Sequence, residues 1–227
     1  MFKRLITLFK LGRKLAKSDV LSILSKFNKP PLLISVIFKL LSFSFTKKDV
    51  SFDNLSEGEK LSNSLASMGT TFIKLGQFLA TRPDIIGDKL SKELENLQDK
   101  LPPFSQSKAK DMIKKDLGDE LYNSIINISE PVAAASIAQV HKAQINDNGV
   151  IKNVAIKILR PDIKKIFNEE VDALMLFAYI IESLIKKTKR LKLVEVVFLL
   201  KEITSLEMDL RFEAAAANEY AENTKND

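Results

Sequence analysis

Two runs rich in β-branched residues, Ile137–Ile145 and Val150–Leu159, are separated by Asn146-Asp147-Asn148-Gly149. Asn-Gly supplies two residues that tolerate positive φ, which a tight hairpin turn demands, so this stretch predicts one antiparallel hairpin. On either side the pattern changes. Upstream, Leu61, Leu65, Met68, Phe72 and Leu75 recur at spacings of three and four, the period of a helix. Ser56 with Glu59 three residues on has the form of a capping box, and Arg82-Pro83 ends the run. Ile85–Leu97 predicts another helix, Leu101–Ser105 a turn, and Gln106–Leu117 and Glu120–Ile126 two short helices. Downstream, Ile163–Lys187 and Val194 to about Tyr220 predict long helices, the second containing Ala214–Ala217. The fold class is therefore α+β and predominantly helical, with one small antiparallel sheet.

What the chain lacks narrows its chemistry. No cysteine occurs, which removes disulfides, thiolate metal sites and cysteine nucleophiles. One histidine, His141, leaves no two-histidine metal site; placed between Val140 and Lys142 on a predicted strand, it reads as a structural residue. With 7 Gly and no Trp, glycine-rich repeats and propellers fit poorly.

The net charge of +6 is unevenly placed. Residues 1–48 hold eleven Lys/Arg and one acid, leaving 24 bases against 28 acids in the remainder. Phe2, Leu5, Ile6, Phe9 and Leu15 fall near helical spacing among basic residues. That describes an amphipathic basic helix, suited either to an anionic membrane surface or to packing on the rest of the protein. The most apolar stretch, Pro31–Phe45, is interrupted by Lys39 and is too short to span a bilayer. Few aromatics interleave the lysines and no reader motif is present, so nucleic acid is not an expected partner.

The most informative segment is Ala133-Ala134-Ala135-Ser136 running into Ile137-Ala138-Gln139-Val140-His141, followed across the hairpin by Val154-Ala155-Ile156-Lys157. A small-residue loop, a strand, a turn and a strand bearing lysine is the order of a protein-kinase N-lobe, where a loop covers nucleotide phosphates and the lysine neutralises their charge. Here alanine replaces the customary glycine, adding a Cβ at each position and disfavouring positive φ. The segment resembles the UbiB-like family of atypical kinase-like proteins, associated with ubiquinone biosynthesis. Phe72-Ile73-Lys74-Leu75-Gly76-Gln77 is similar to that family's Lys-x-Gly-Gln motif, and Leu206-Glu207-Met208-Asp209 with Glu213, Ala214 and Asn218 to its Glu-x-Asp helix.

The resemblance implies three regions. Residues 1–50 would be basic amphipathic helices, 51–128 a helical extension carrying Lys74, Gly76 and Gln77, and 129–227 part of a kinase-like N-lobe. It implies ATP as cofactor, with Ala133, Ala134, Ala135, Ser136, Lys157 and Glu213 as binding residues and Lys157 paired to Glu213. The extension would fold over the nucleotide pocket, anchored by Glu207 and Asp209. On a continuous helix Asp209 and Glu213 would share a face, a like-charge pair that a cation such as Lys157 or Lys74 would offset. Magnesium is implied, yet no Asp-Phe-Gly segment occurs, so neither metal ligands nor catalytic residues are assigned. Taken as a fragment, the chain is expected to be inactive alone and to expose apolar surface. Expected partners are a separately encoded C-lobe, an anionic membrane surface on its cytoplasmic side, and proteins or lipids of ubiquinone biosynthesis. The alternative is a non-catalytic membrane-surface or partner-binding module, or a remnant.

Overall fold

A computed structural model of the chain describes residues 56–95, 97, 101–184 and 186–225. The expected basic helices of 1–50 lie outside them. Cα packing divides the chain into two units. The first takes the described residues up to 98 together with Lys164–Ser205; the second takes those of Asp99–Ile163 and Leu206–Asp227.

In the first unit the helices are α1 (Glu57–Met68), α2 (Thr70–Ala80), α3 (Pro83–Ile86) and α4 (Asp88–Leu94). The capping box at the start of α1 is formed: Ser56 Oγ accepts from Glu59 N at 3.2 Å, and Glu59 Oε2 accepts from Ser56 N at 2.7 Å. The single helix expected through Leu75 is instead two. Gly69 adopts φ 102° and ψ −174°, a conformation open essentially to glycine alone, and turns the chain between α1 and α2. Gly87, at φ 83°, likewise splits the helix expected over 85–97 into α3 and α4. Leu61, Leu65, Phe72, Ile73, Leu90 and Leu94 are buried, so the three- and four-residue spacing does mark the core face.

Beyond Ile163, α6 (Ile163–Leu184) buries Phe167, Val171, Leu174 and Ala178, a stripe along one side. A 3₁₀ segment, Lys186–Leu191, leads to α7 (Leu193–Glu207). Glu182 caps α7 by accepting from Val194 N at 3.1 Å, and Asp172 meets Lys201 at 3.6 Å.

The second unit is a three-stranded antiparallel sheet, β1 (Ile125–Ala134), β2 (Ala138–Asp147) and β3 (Val150–Leu159), in sequence order, with helix α5 (Gln106–Asn123). The hairpin forms as the Asn-Gly pair requires: Asn148 and Gly149 take φ 52° and 90°, and Asp147 pairs with Val150. Strand β1 has no alternating pattern to announce it. It holds Pro131, and its register shifts three times along β2. The helix expected over 120–126 consequently stops at Asn123, and Ile125 begins the strand. Gly118, at φ 78°, kinks α5 near the expected boundary between two short helices. Ala109 and Ile113 of α5 pack with Ile158 of β3 as the core of this unit, with Phe104 and Ile128 at its margin.

The last helix, α8 (Leu210–Asn223), buries none of its residues. The long helix expected to about Tyr220 breaks before it, at Met208-Asp209. Asp209 leaves helical geometry (φ −98°, ψ 87°) and becomes the N-cap of α8, accepting from Arg211 N at 3.2 Å.

Candidate functional site

Lys157 stands near the end of β3, opposite Val140 of β2, and Glu213 lies in the first turn of α8. Lys157 Nζ donates to both carboxylate oxygens of Glu213, at 2.7 and 2.6 Å, across 56 residues of sequence. The side chains are 36% and 58% exposed. An ion pair in that setting contributes roughly 0–1 kcal/mol, because water screens it and both side chains must be ordered. Its consequence is positional. The ammonium is held at one point beside the sheet, yet at little cost it can exchange its partner for another anion.

Asp209 and Glu213 are not on one continuous helix: Asp209 is the N-cap of α8 and leaves helical geometry. Its carboxylate accepts from Arg211 Nε at 2.7 Å as well as from the backbone. That hydrogen bond raises the Arg211 guanidinium further above its ordinary value. Glu207 closes α7, so the Glu-x-Asp motif straddles a helix break.

The alanine segment is less of a loop than its composition suggests. Ala133 and Ala134 belong to β1, paired with Val140 and Gln139. Only Ala135-Ser136-Ile137 turns between the strands, closed by Ala135 N donating to Ala138 O at 2.8 Å. No residue of Ala133–Ser136 has positive φ. The turn therefore asks for no glycine, and alanine supplies it without backbone strain. Ser136 and Ile137 are buried.

Three side chains hold this turn, one of them, Arg160, outside the motifs that the sequence singles out. Arg160, just past β3, donates through Nε to Ala135 O at 2.9 Å, through Nη1 to Pro102 O at 3.0 Å and through Nη2 to Leu101 O at 3.2 Å. Gln139, 1% exposed, locks the same stretch: its Oε1 accepts from Phe104 N at 2.9 Å and its Nε2 donates to Phe104 O at 3.2 Å. His141, fully buried, continues the chain. Nδ1–H donates to Ser129 O at 2.7 Å, and Nε2 accepts from the Gln139 amide at 2.9 Å, an assignment those partners dictate. Ser129 Oγ in turn accepts from Lys142 N at 3.0 Å. The Gln and His of the motif are thus structural. They fasten β1, β2 and the 101–105 segment around the turn that precedes Lys157. Their partners are 12 to 35 residues away in the sequence.

Lys74, Gly76 and Gln77 lie on α2 in the first unit. Gly76 is a packing glycine: a Cβ there would come within 2.5 Å of Leu97 Cδ2 and 2.9 Å of Leu65 Cδ1. Among the described residues no group of three or more His, Asp or Glu side chains could hold a metal ion, so the magnesium implied by the resemblance finds no donor set there. No described helix is long and apolar enough to cross a membrane.

Comparison with known proteins bears on the family of the chain. The model of the ABC1 atypical kinase-like domain matches residues 96–227. A probable protein kinase UbiB of Marinobacter nauticus is 38% identical over 173 residues, 76% of this chain and 31% of that protein. Its counterpart in Aliivibrio fischeri is 36% identical over 167 residues, 73% and 30% of the two chains. That of Shewanella pealeana is 33% identical over 195 residues, 86% and 35%. No solved structure matches. The chain thus spans about a third of the length of the curated relatives it matches. It belongs to the UbiB-like, ABC1 atypical kinase-like family.

Proposed function

We propose that this chain contributes the nucleotide-facing part of a UbiB-like, ATP-dependent kinase-like protein that supports ubiquinone biosynthesis at a membrane. The observation that carries the proposal is the Lys157–Glu213 pair, with Nζ 2.6–2.7 Å from both carboxylate oxygens. In this reading Glu213 holds the Lys157 ammonium where polyphosphate charge is to be neutralised. The backbone of Ala133–Ser136, kept in place by Arg160 and Gln139, covers the phosphates. ATP, when bound, supplies the phosphoryl group. The 227 residues include no Asp-Phe-Gly segment. ATP hydrolysis by this chain alone is not expected.

The test is thermal stabilisation by ATP. Stabilisation of the unaltered chain that is abolished in Lys157→Ala supports the reading. Equal stabilisation in both removes Lys157 from the phosphate site. A second reading, a non-catalytic partner-binding module, is favoured by α8, where Phe212 and Tyr220 are 61% and 72% exposed. Binding of a separately supplied C-lobe that is lost in Phe212→Ser would support it. Membrane contact by residues 1–48 is a further part of the proposal. It predicts that those residues carry a fused reporter to anionic liposomes at moderate salt.

A further inference from the structure

A cleft of about 290 Å³ in the first unit is bounded by the start of α3 and by the junction of the 3₁₀ segment with α7. Arg82, Arg190 and Lys192 line it, with Asp84, Glu195 and, on its apolar wall, Leu199. Each carboxylate already has a cation. Arg82 grips Asp84 through Nε at 2.8 Å and Nη2 at 2.7 Å, and Lys192 Nζ meets both Glu195 oxygens at 3.0 Å. Among the described residues no carboxylate pairs with Arg190. Among the described residues that line it, the cleft therefore carries one positive charge more than it neutralises.

Its surroundings reinforce that excess. Lys189, Arg190 and Lys192 fall within four residues with no acid among them. Glu182, the nearest acid upstream, is not among the lining residues. Two further features show the cationic groups held in place. Arg82 lies over the Phe78 ring, 5.9 Å from its centroid, while its fork engages Asp84, so the guanidinium is fixed from two sides. Lys192 takes φ 49°, a left-handed conformation that side chains other than glycine and asparagine seldom adopt. Backbone strain of this kind concentrates at binding sites.

We propose that this cleft binds a phosphate ester anion, carried either by a lipid headgroup or by a small soluble phosphate. Guanidinium groups match phosphate oxygens in geometry, and a multiply charged anion satisfies Arg190 while drawing on Lys192 and Arg82. The volume lies at the low end of small-molecule sites, in keeping with a headgroup-sized ligand. The inference concerns the first unit and does not rest on nucleotide binding at Lys157.

The experiment compares the full chain with Arg190→Gln/Lys192→Asn. Both side chains are exposed, and asparagine tolerates the left-handed backbone, so the fold is retained; coincident thermal unfolding verifies this. One arm titrates inorganic phosphate at low ionic strength. The other measures partition onto phosphatidylcholine vesicles with and without phosphatidylglycerol. Removing two such charges should weaken binding about thirtyfold. Weakening in the phosphate arm assigns a soluble ester. Weakening only with phosphatidylglycerol vesicles assigns a headgroup. A Lys114→Gln/Lys115→Gln control on α5 should bind as the unaltered chain does. Unchanged binding of the double variant in both arms, or equal weakening of the control, overturns the proposal.

Discussion

Replacing Gln139 by leucine removes the link between the hairpin and the 101–105 segment while nearly conserving volume. Three groups lose their partners: Phe104 N–H, Phe104 C=O and His141 Nε2. A buried polar group left unsatisfied costs about 1–3 kcal/mol. His141 is fully buried and bears that cost in full. Phe104 is only half-buried, so water can partly replace the amide's contacts. Setting the apolar gain of leucine against these losses leaves a net destabilisation of about 2 kcal/mol. Denaturant unfolding of the full chain should show it as a lower midpoint at unchanged slope. Hydrogen exchange at the Phe104 amide should accelerate with it. The variant His141→Phe should cost about 1 kcal/mol less in the Gln139→Leu background than alone, because the two side chains share a bond. A loss below about 0.5 kcal/mol, with Phe104 exchange unchanged, would refute the claim that this network holds the turn.

Other perturbations probe separate parts of the molecule. Gly69→Ala meets no atom within 4 Å but must adopt φ 102°; it should lose about 1–3 kcal/mol from backbone strain alone, read as a lower melting temperature. Gly76→Val places side-chain atoms where Leu65 and Leu97 already stand and should destabilise by about 2 kcal/mol in the same assay. The hydrogen bonds from Arg82 lower the Asp84 pKa below its ordinary value. The stability this pair contributes is therefore present above the unfolded carboxylate range near 4 and lost as pH falls through the depressed value. An NMR titration should find the Asp84 midpoint rising towards the ordinary value in Arg82→Gln. Asp147, held low by Lys152, should respond in the same direction to Lys152→Gln.

Features whose causes lie within a few residues are legible in the amino-acid sequence itself. Asn148-Gly149 makes the hairpin turn, Ser56 and Glu59 make the capping box, and the spacing of Leu61 to Phe72 marks a core face, because dihedral preference, capping and helical period act locally. The motifs carrying the family resemblance are equally plain; the pairing of Lys157 with Glu213, 56 residues apart, is an expectation of that resemblance and not of any local pattern. Tertiary structure decides the rest. Gly69 and Asp209 read as ordinary members of long periodic runs, yet the chain turns at both, one through a glycine-only conformation and one through an N-cap. Strand β1 escapes a reading of the sequence because Pro131 and its register shifts erase the alternation that announces a strand, and pairing with β2 supplies what propensity does not. Arg160 and Gln139 become anchors of the alanine turn only when folding brings residues 101–104 to them. Which backbone groups a buried polar side chain meets depends on chain segments tens of residues away, and no local pattern in the sequence encodes that choice.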